Sequence, residues 1–530
     1  MLIALALLWQ DPLAVRADTV KVRHDAVHYD IAAAISDTGR RFAAEVTTRW
    51  KLTSAEPIVV ALDTALTVVD VRVADSGGRR LHPVPWHRDG GRIVIPHRGG
   101  AGDSAITRIR YDGVPADGLI IRRAADGTFT AFADNWPDRA HRWFPSQDVP
   151  ADKATASFRI DAPKGYEVVA NGRLVQVDTL RDGGTVWHYR QDAPVSPYNL
   201  VFGLARFAVT ELRPAGCQVR CVPMSVWTFP DDSAFAVSGP FARAPQILDF
   251  FQQTIGPFPY AKLAHVESST RFGGMENASS IFYDQNAYRS HRMNEETAAH
   301  ETAHQWFGDA VTEADWHHLW LSEGFATFFA ALWVSHADGD SAGRADLARA
   351  AQAVFKSSAT RRPIIDTAAT DLMDLLNTNN YQKGAWVLHS LERLVGDPAF
   401  FAGIRAYYAA YRDRTALSSD FAATMSTAAG TDLRWYFDQA LLQPGYPKLQ
   451  VRSAFDSAAR RLTLTVTEVQ PAAWGTYRLP RLGFAIDGVV TRHDVAGAET
   501  VITIDDVTRA PKSIVVDPDG DWLLAAEVVP

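Results

Sequence analysis

His300-Glu301-Thr302-Ala303-His304 is the stretch whose residue types and spacing most directly imply chemistry. On a helix, positions i and i+4 share one face, so both imidazoles can reach a single metal ion. Glu301 then stands beside them to take a proton from water held by that metal. A surface helix with two ordinary histidines would carry the same five residues, so a third ligand decides between the readings. Eighteen residues separate His304 from Glu323, in Leu319-Trp-Leu-Ser-Glu-Gly-Phe-Ala-Thr, a segment that is itself helical in pattern. A second helix packed on the first would present Glu323 to the metal. Two histidines and one carboxylate leave a fourth position for water, the arrangement of a catalytic rather than a structural zinc site. Ligand type makes one Zn2+ per chain the expected cofactor.

Four further segments occur in order around this motif: Gly273-Gly274-Met275-Glu276-Asn277, Tyr381-Gln-Lys-Gly-Ala-Trp-Val-Leu, Trp143-Phe-Pro-Ser-Gln-Asp-Val-Pro with Lys153-Ala154, and Trp435-Tyr-Phe-Asp with Gly445-Tyr-Pro. Together with the zinc motif they resemble the gluzincin aminopeptidases, the family of aminopeptidase N and leukotriene hydrolase. The resemblance runs from about residue 20 to residue 447. It implies a zinc aminopeptidase in which His300, His304 and Glu323 hold the metal, Glu301 is the general base and Tyr381 donates to the developing oxyanion. It also implies that Glu276 binds the free α-amino group of a peptide substrate. The backbone of Gly273 and Gly274 would let that peptide approach, Met275 would line its side-chain pocket, and Asn277 would complete the segment. The family adds a polar residue from its N-terminal domain to the amine site. The matching stretch is Ala133-Asp-Asn-Trp-Pro, with Asn135 the first candidate and Asp134 the second.

Two departures from the family pattern are small: Ser322 precedes the ligand Glu where Asn is usual, and Ser146 stands where Cys is usual. The larger one is length. The residues after Pro447 pattern as strands, so a short form lacking the family's helical C-terminal domain is expected, with a more open cleft. Other readings share parts of this site. An epoxide hydrolase of the same family uses the same zinc. A catalytically silent peptide-binding protein would have no chemical need for Glu301 or Tyr381. A thermolysin-like endopeptidase would not need the Gly-Gly-Met-Glu-Asn segment.

The elements that must position these residues change character along the chain. From Val20 to about Leu212, short alternating runs such as Ile58-Val-Val-Ala-Leu alternate with turns such as Asp89-Gly-Gly, which predicts an antiparallel β domain. Residues 232–255 and 294–443 have helical spacing, with Phe325, Phe328, Phe329, Leu332 and Trp333 along one face. After Pro447 alternation returns. The expected organisation is α+β and multidomain: residues 18–212 an N-terminal antiparallel β domain, 213–446 a thermolysin-like, mostly α catalytic domain, and 447–530 a small C-terminal β-sandwich.

Composition excludes several classes. Hydrophobic residues make up 47% and charged residues 22% of the 530, which rules out disorder and a multispanning membrane protein. The net charge of −8, with no basic run, argues against a nucleic-acid partner; the family resemblance implies peptides with a free N-terminus as the partners. Leu2 to Trp9 is apolar but too short to span a bilayer, and Val15-Arg-Ala offers small residues where a signal peptidase cuts. Residues 1–17 are therefore expected to be a signal peptide, and the protein exported to the periplasm or medium. Cys217 and Cys221, separated by three residues, allow either one local disulfide or two inert core thiols.

Overall fold

The computed structural model of the chain describes residues 11–17, 23–74, 80–123, 128–213 and 216–529. It divides into two compact units. One comprises Asp18–Trp316 with Tyr408–Ala416; the other comprises Met1–Ala17, His317–Tyr407 and Leu417–Pro530.

The first unit begins with the expected β domain. Strand Phe42–Lys51 shows why it forms: Phe42, Ala44, Val46 and Trp50 are buried on one face while the intervening residues are more exposed, the period-2 pattern of a half-buried strand. It pairs antiparallel with Asp25–Ile35 and Ser104–Gly113 inside an eight-stranded sheet. One pairing in that sheet is parallel, Asp25–Ile35 against Ala154–Ala162.

A mixed sheet follows: β1 (Ala208–Leu212), β2 (Met224–Thr228), β3 (Leu263–Ser268), β4 (Gly274–Met275) and β5 (Ser280–Asp284), in spatial order β1-β2-β3-β5-β4. The expected boundary at 212/213 thus runs between two paired strands. β2, β3 and β5 are mutually parallel, and β3 and β5 are almost wholly buried, so they show little alternation for sequence reading to detect. β4 is antiparallel to β5 and forms the sheet edge. Helix α1 (Glu295–His304) carries the zinc motif. Asn294 caps it by accepting from the Thr297 amide at 2.9 Å, and Glu295 and Glu296 in its first turn suit the positive end of the helix dipole.

The second unit is built on helix α2 (Trp320–Asp338), where Phe325, Phe328, Phe329 and Trp333 are buried as their spacing predicts. Helix α3 (Gly384–Val395) packs against it and is preceded by a π-helical turn, Asn379–Lys383. A Cβ on Gly324 would lie 2.9 Å from the Gly384 backbone, so these two glycines permit a close helix contact that no side chain would allow. The chain after Pro447 forms sheets of four and three strands.

Of the expected signal peptide, residues 1–10 lie outside the described residues. Asp11–Ala17 is tied into the second unit. Leu13 is fully buried, Asp11 pairs with Arg434 at 2.6 Å, and His318 Nε2 lies 2.8 Å from the Val15 carbonyl. Cys217 and Cys221 are disulfide-bonded, which settles the two alternatives the sequence left open. No described helix is long and apolar enough to cross a membrane.

Candidate functional site

Helix α1 places His300, Glu301 and His304 on adjoining turns. The two imidazoles face each other with Nε2 atoms 3.1 Å apart, and His304 Nδ1 lies 3.1 Å from the Phe307 carbonyl. That carbonyl can only accept, so Nδ1 carries the proton and the Nε2 lone pair points towards His300. Two converging imidazole nitrogens with one tautomer set from behind fit a zinc ion. Phe307 has no sequence signature for this role, because its contribution is backbone.

The edge strand β4 brings a second group to the same place. Ligating atoms of Glu276, Glu301 and His304 lie within 4.8 Å of one another, and all three residues are buried. Two carboxylates at that separation repel by about 3 kcal/mol at an effective dielectric near 20. A cation lodged beside them relieves that repulsion. Gly274 makes the approach possible, since a Cβ there would overlap the Glu301 carboxylate and lie 2.7 Å from its Cγ. Gly273 is exposed beside it, with open space where a Cβ would stand. Met275 and Asn277 are buried, and Asn277 Nδ2 turns back to the Met275 carbonyl at 3.4 Å.

Within the second unit, Glu323 sits in the first turn of α2 and Tyr381 on the π-helical turn. The Tyr381 hydroxyl donates to Glu323 Oε1 at 2.7 Å. A π turn widens the helix by one residue and re-aims its side chains, a device frequent at functional sites. A polar cleft of about 580 Å³, lined in part by Ser357, Arg362 and Asn377, opens beside Tyr381.

Asn135 does not fit its expected role. It is fully buried, its Nδ2 donates to the Leu200 carbonyl at 2.8 Å, and its Oδ1 accepts from the Trp143 indole at 2.8 Å. The side chain is committed to the interior of the β domain and presents no polar atom to a substrate. Asp134, the second candidate, is equally buried. It pairs with Arg139 at 2.9 Å and with Arg271 at 3.1 Å, just ahead of the Gly-Gly segment. Lys153 extends from the β domain to donate to the carbonyls of Asp309 and Ala310 at 2.7 and 2.8 Å. Burial pushes its pKa down to about 7, against the opposing pull of Asp413, Asp309 and Glu313. The sequence had marked Lys153 only as part of a motif; its contact is with the chain just beyond α1.

The chain is similar to known proteins along most of its length. Residues 241–439 match the peptidase family M1 domain and residues 25–199 the peptidase M1 N-terminal domain, together more than half of the chain. Glutamyl aminopeptidase of Sus scrofa is 28% identical over 352 residues, 63% of this chain and 37% of that protein. A probable aminopeptidase 1 of Sulfurisphaera tokodaii is 27% identical over 359 residues, 64% of this chain and 44% of that one. Aminopeptidase N of Streptomyces lividans is 26% identical over 457 residues, 75% and 52% respectively. The chain thus matches between 37% and 52% of the length of these relatives.

Proposed function

The chain belongs to the peptidase M1 family, and from that premise we propose that it is a zinc-dependent aminopeptidase hydrolysing the N-terminal peptide bond of peptides. The observation that carries this reading is the convergence of Glu276, Glu301 and His304 within 4.8 Å. One imidazole nitrogen suits a metal, one carboxylate suits a base, and the second carboxylate suits a substrate α-ammonium.

In this reading His300, His304 and Glu323 hold the zinc, Glu323 being assigned from its spacing and the family match. Zinc held there would supply a Lewis acid for the scissile carbonyl and lower the pKa of water towards about 7. Glu301 accepts the proton of the attacking water and returns it to the departing amine, a general acid–base role worth about 10²–10⁴ in rate. The Tyr381 hydroxyl, a donor already directed at a carboxylate oxygen, hydrogen-bonds the oxyanion as the carbonyl becomes tetrahedral. Glu276 fixes the α-ammonium one residue from the scissile bond. The edge position of β4 leaves one side of that strand for the extended substrate to pair with.

The residues after Pro447 make up a small C-terminal β-sandwich in this proposal. Export also belongs to it, supported by the apolar run Leu2–Trp9 and by the Cys217–Cys221 disulfide, which persists in oxidising compartments.

The test is hydrolysis of a panel of aminoacyl-nitroanilides, each run beside its N-acetylated twin, with and without a chelator. Cleavage of the free-amine substrates alone, abolished by the chelator, supports the proposal. Equal cleavage of both twins returns the endopeptidase reading. Zinc binding without cleavage returns the epoxide hydrolase or the silent peptide-binding protein. Glu301→Gln should abolish turnover while zinc stays bound.

A further inference from the structure

Glu276 stands on a short connection between β4 and β5, and such connections are ordinarily among the more mobile parts of a fold. This one is braced throughout. Asn199 Oδ1 accepts from the Ala278 amide at 3.0 Å, Asn171 Nδ2 donates to the Ala278 carbonyl at 2.7 Å, and the Gly172 amide donates to Ser279 Oγ at 2.7 Å. Ser279 itself is held in the left-handed region at φ 64°. These bonds tie the connection to the β domain. The bonds that tie it to the zinc-motif helix come from Gln305.

Gln305 directly follows His304 and is fully buried. Its Nε2 donates to the Glu276 carbonyl at 2.5 Å and to Asp309 Oδ2 at 2.9 Å, while its Oε1 accepts from the Ser279 amide at 2.7 Å. One planar amide therefore grips both ends of the Glu276–Ser279 connection from the residue next to a zinc-motif histidine. Two donors and an acceptor are needed in one plane. Glutamate lacks the donors, methionine lacks both kinds of atom, and asparagine has both but is one methylene short.

We propose that Gln305 is a positioning residue for amine recognition: it fixes the Glu276 carboxylate relative to Glu301 and His304 and so sets the affinity for the substrate α-ammonium. This rests on the reading of Glu276 as the amine anchor. Gln305 touches no substrate atom. Without its grip the Glu276–Ser279 connection loses its Gln305 bonds beside α1, and a misplacement of about 1 Å is enough to change a rate or affinity about 100-fold. The effect falls on substrate binding, because His300, Glu301 and His304 remain on α1 and Glu323 on α2.

The experiment compares Q305E, Q305N and E276Q with the unaltered protein. For each, KM and kcat are measured on one aminoacyl-nitroanilide and its N-acetylated twin, zinc per chain is determined by atomic absorption, and thermal unfolding is followed. Q305E keeps the volume and the acceptor but loses both donors. It is expected to raise KM for the free-amine substrate about tenfold, leave kcat within about twofold, and retain zinc. Discrimination against the acetylated twin should fall by the same factor as KM rises. Q305N restores the donor chemistry at reduced reach and is expected to fall between the two. If E276Q raises KM and erases discrimination while zinc-loaded Q305E and Q305N do neither, the positioning role is overturned and the amine anchor stands. If E276Q itself leaves KM and discrimination unaltered, the anchor reading falls and this inference with it. Loss of zinc or of the folded state in both Gln305 variants would make Gln305 a structural residue and overturn the proposal.

Discussion

Replacing Gly274 with alanine separates the fold from the chemistry at a single methyl group. The backbone of Gly274 is not in the left-handed region, so alanine meets no conformational penalty there, and β4 keeps its pairing with Tyr283 of β5. The atoms the new Cβ would meet are the carboxylate and Cγ of Glu301, the far end of a flexible side chain. The fold therefore yields by moving that side chain, and the carboxylate must retreat by roughly 1 Å, a displacement that costs about 100-fold when it affects a catalytic group. Thermal stability should change little, because the gain of about 0.4–1 kcal/mol from Gly→Ala through the unfolded chain is offset by the cost of moving the buried Glu301 side chain. The expected signature is a kcat about 100-fold lower, with zinc content and unfolding temperature kept. The assay pairs steady-state hydrolysis of an aminoacyl-nitroanilide with metal analysis and a thermal melt of the same preparation. A G274A enzyme within about threefold of the unaltered kcat would refute the placement of Glu301 as the base against this strand.

Three other expectations follow from different parts of the chain. Tyr381→Phe removes the hydroxyl that donates to Glu323 and should lower kcat by about 10²–10³ with zinc retained, since one oxyanion donor is worth that much; unchanged single-turnover rates would exclude the role. Gly324→Ala meets the backbone of Gly384 at 2.9 Å and the Asn380 carbonyl at 3.2 Å, neither of which can swing aside, so a destabilisation of about 1–3 kcal/mol is expected in denaturant titration. Burial pulls His141 towards the neutral form, but its 2.8 Å bond to the Asp148 carboxylate prevails and holds its pKa above 6.5. The stability this pair contributes is thus fully present below about pH 6.5 and is lost as pH rises through the higher folded value. Comparing melts of the protein and of Asp148→Asn across that range should show their difference shrinking at alkaline pH, and a constant difference would count against the linkage.

The local chemistry was legible in the residues themselves, because a helix repeats every 3.6 residues whatever surrounds it. The i, i+4 spacing put His300 and His304 on one face of α1, and the Phe325–Trp333 stripe marked the buried face of α2. Alternation likewise marked strands such as Phe42–Lys51, which face the core on one side only. Where burial is complete this signal vanishes: β3 and β5 are buried on both faces, and the mixed sheet that crosses residue 212 went unseen. Side-chain type alone also misled at Asn135, whose amide has the polarity an amine site needs but is held inside the β domain by Leu200 and Trp143. Only the tertiary structure decided which polar groups face the site and which brace it. The Phe307 carbonyl that orients His304, and Gln305 gripping Glu276 and Ser279, are contacts between segments distant in sequence or made by backbone atoms. Side-chain identity and local periodicity record neither, because hydrogen bonds of this kind exist only once the chain has brought the partners together.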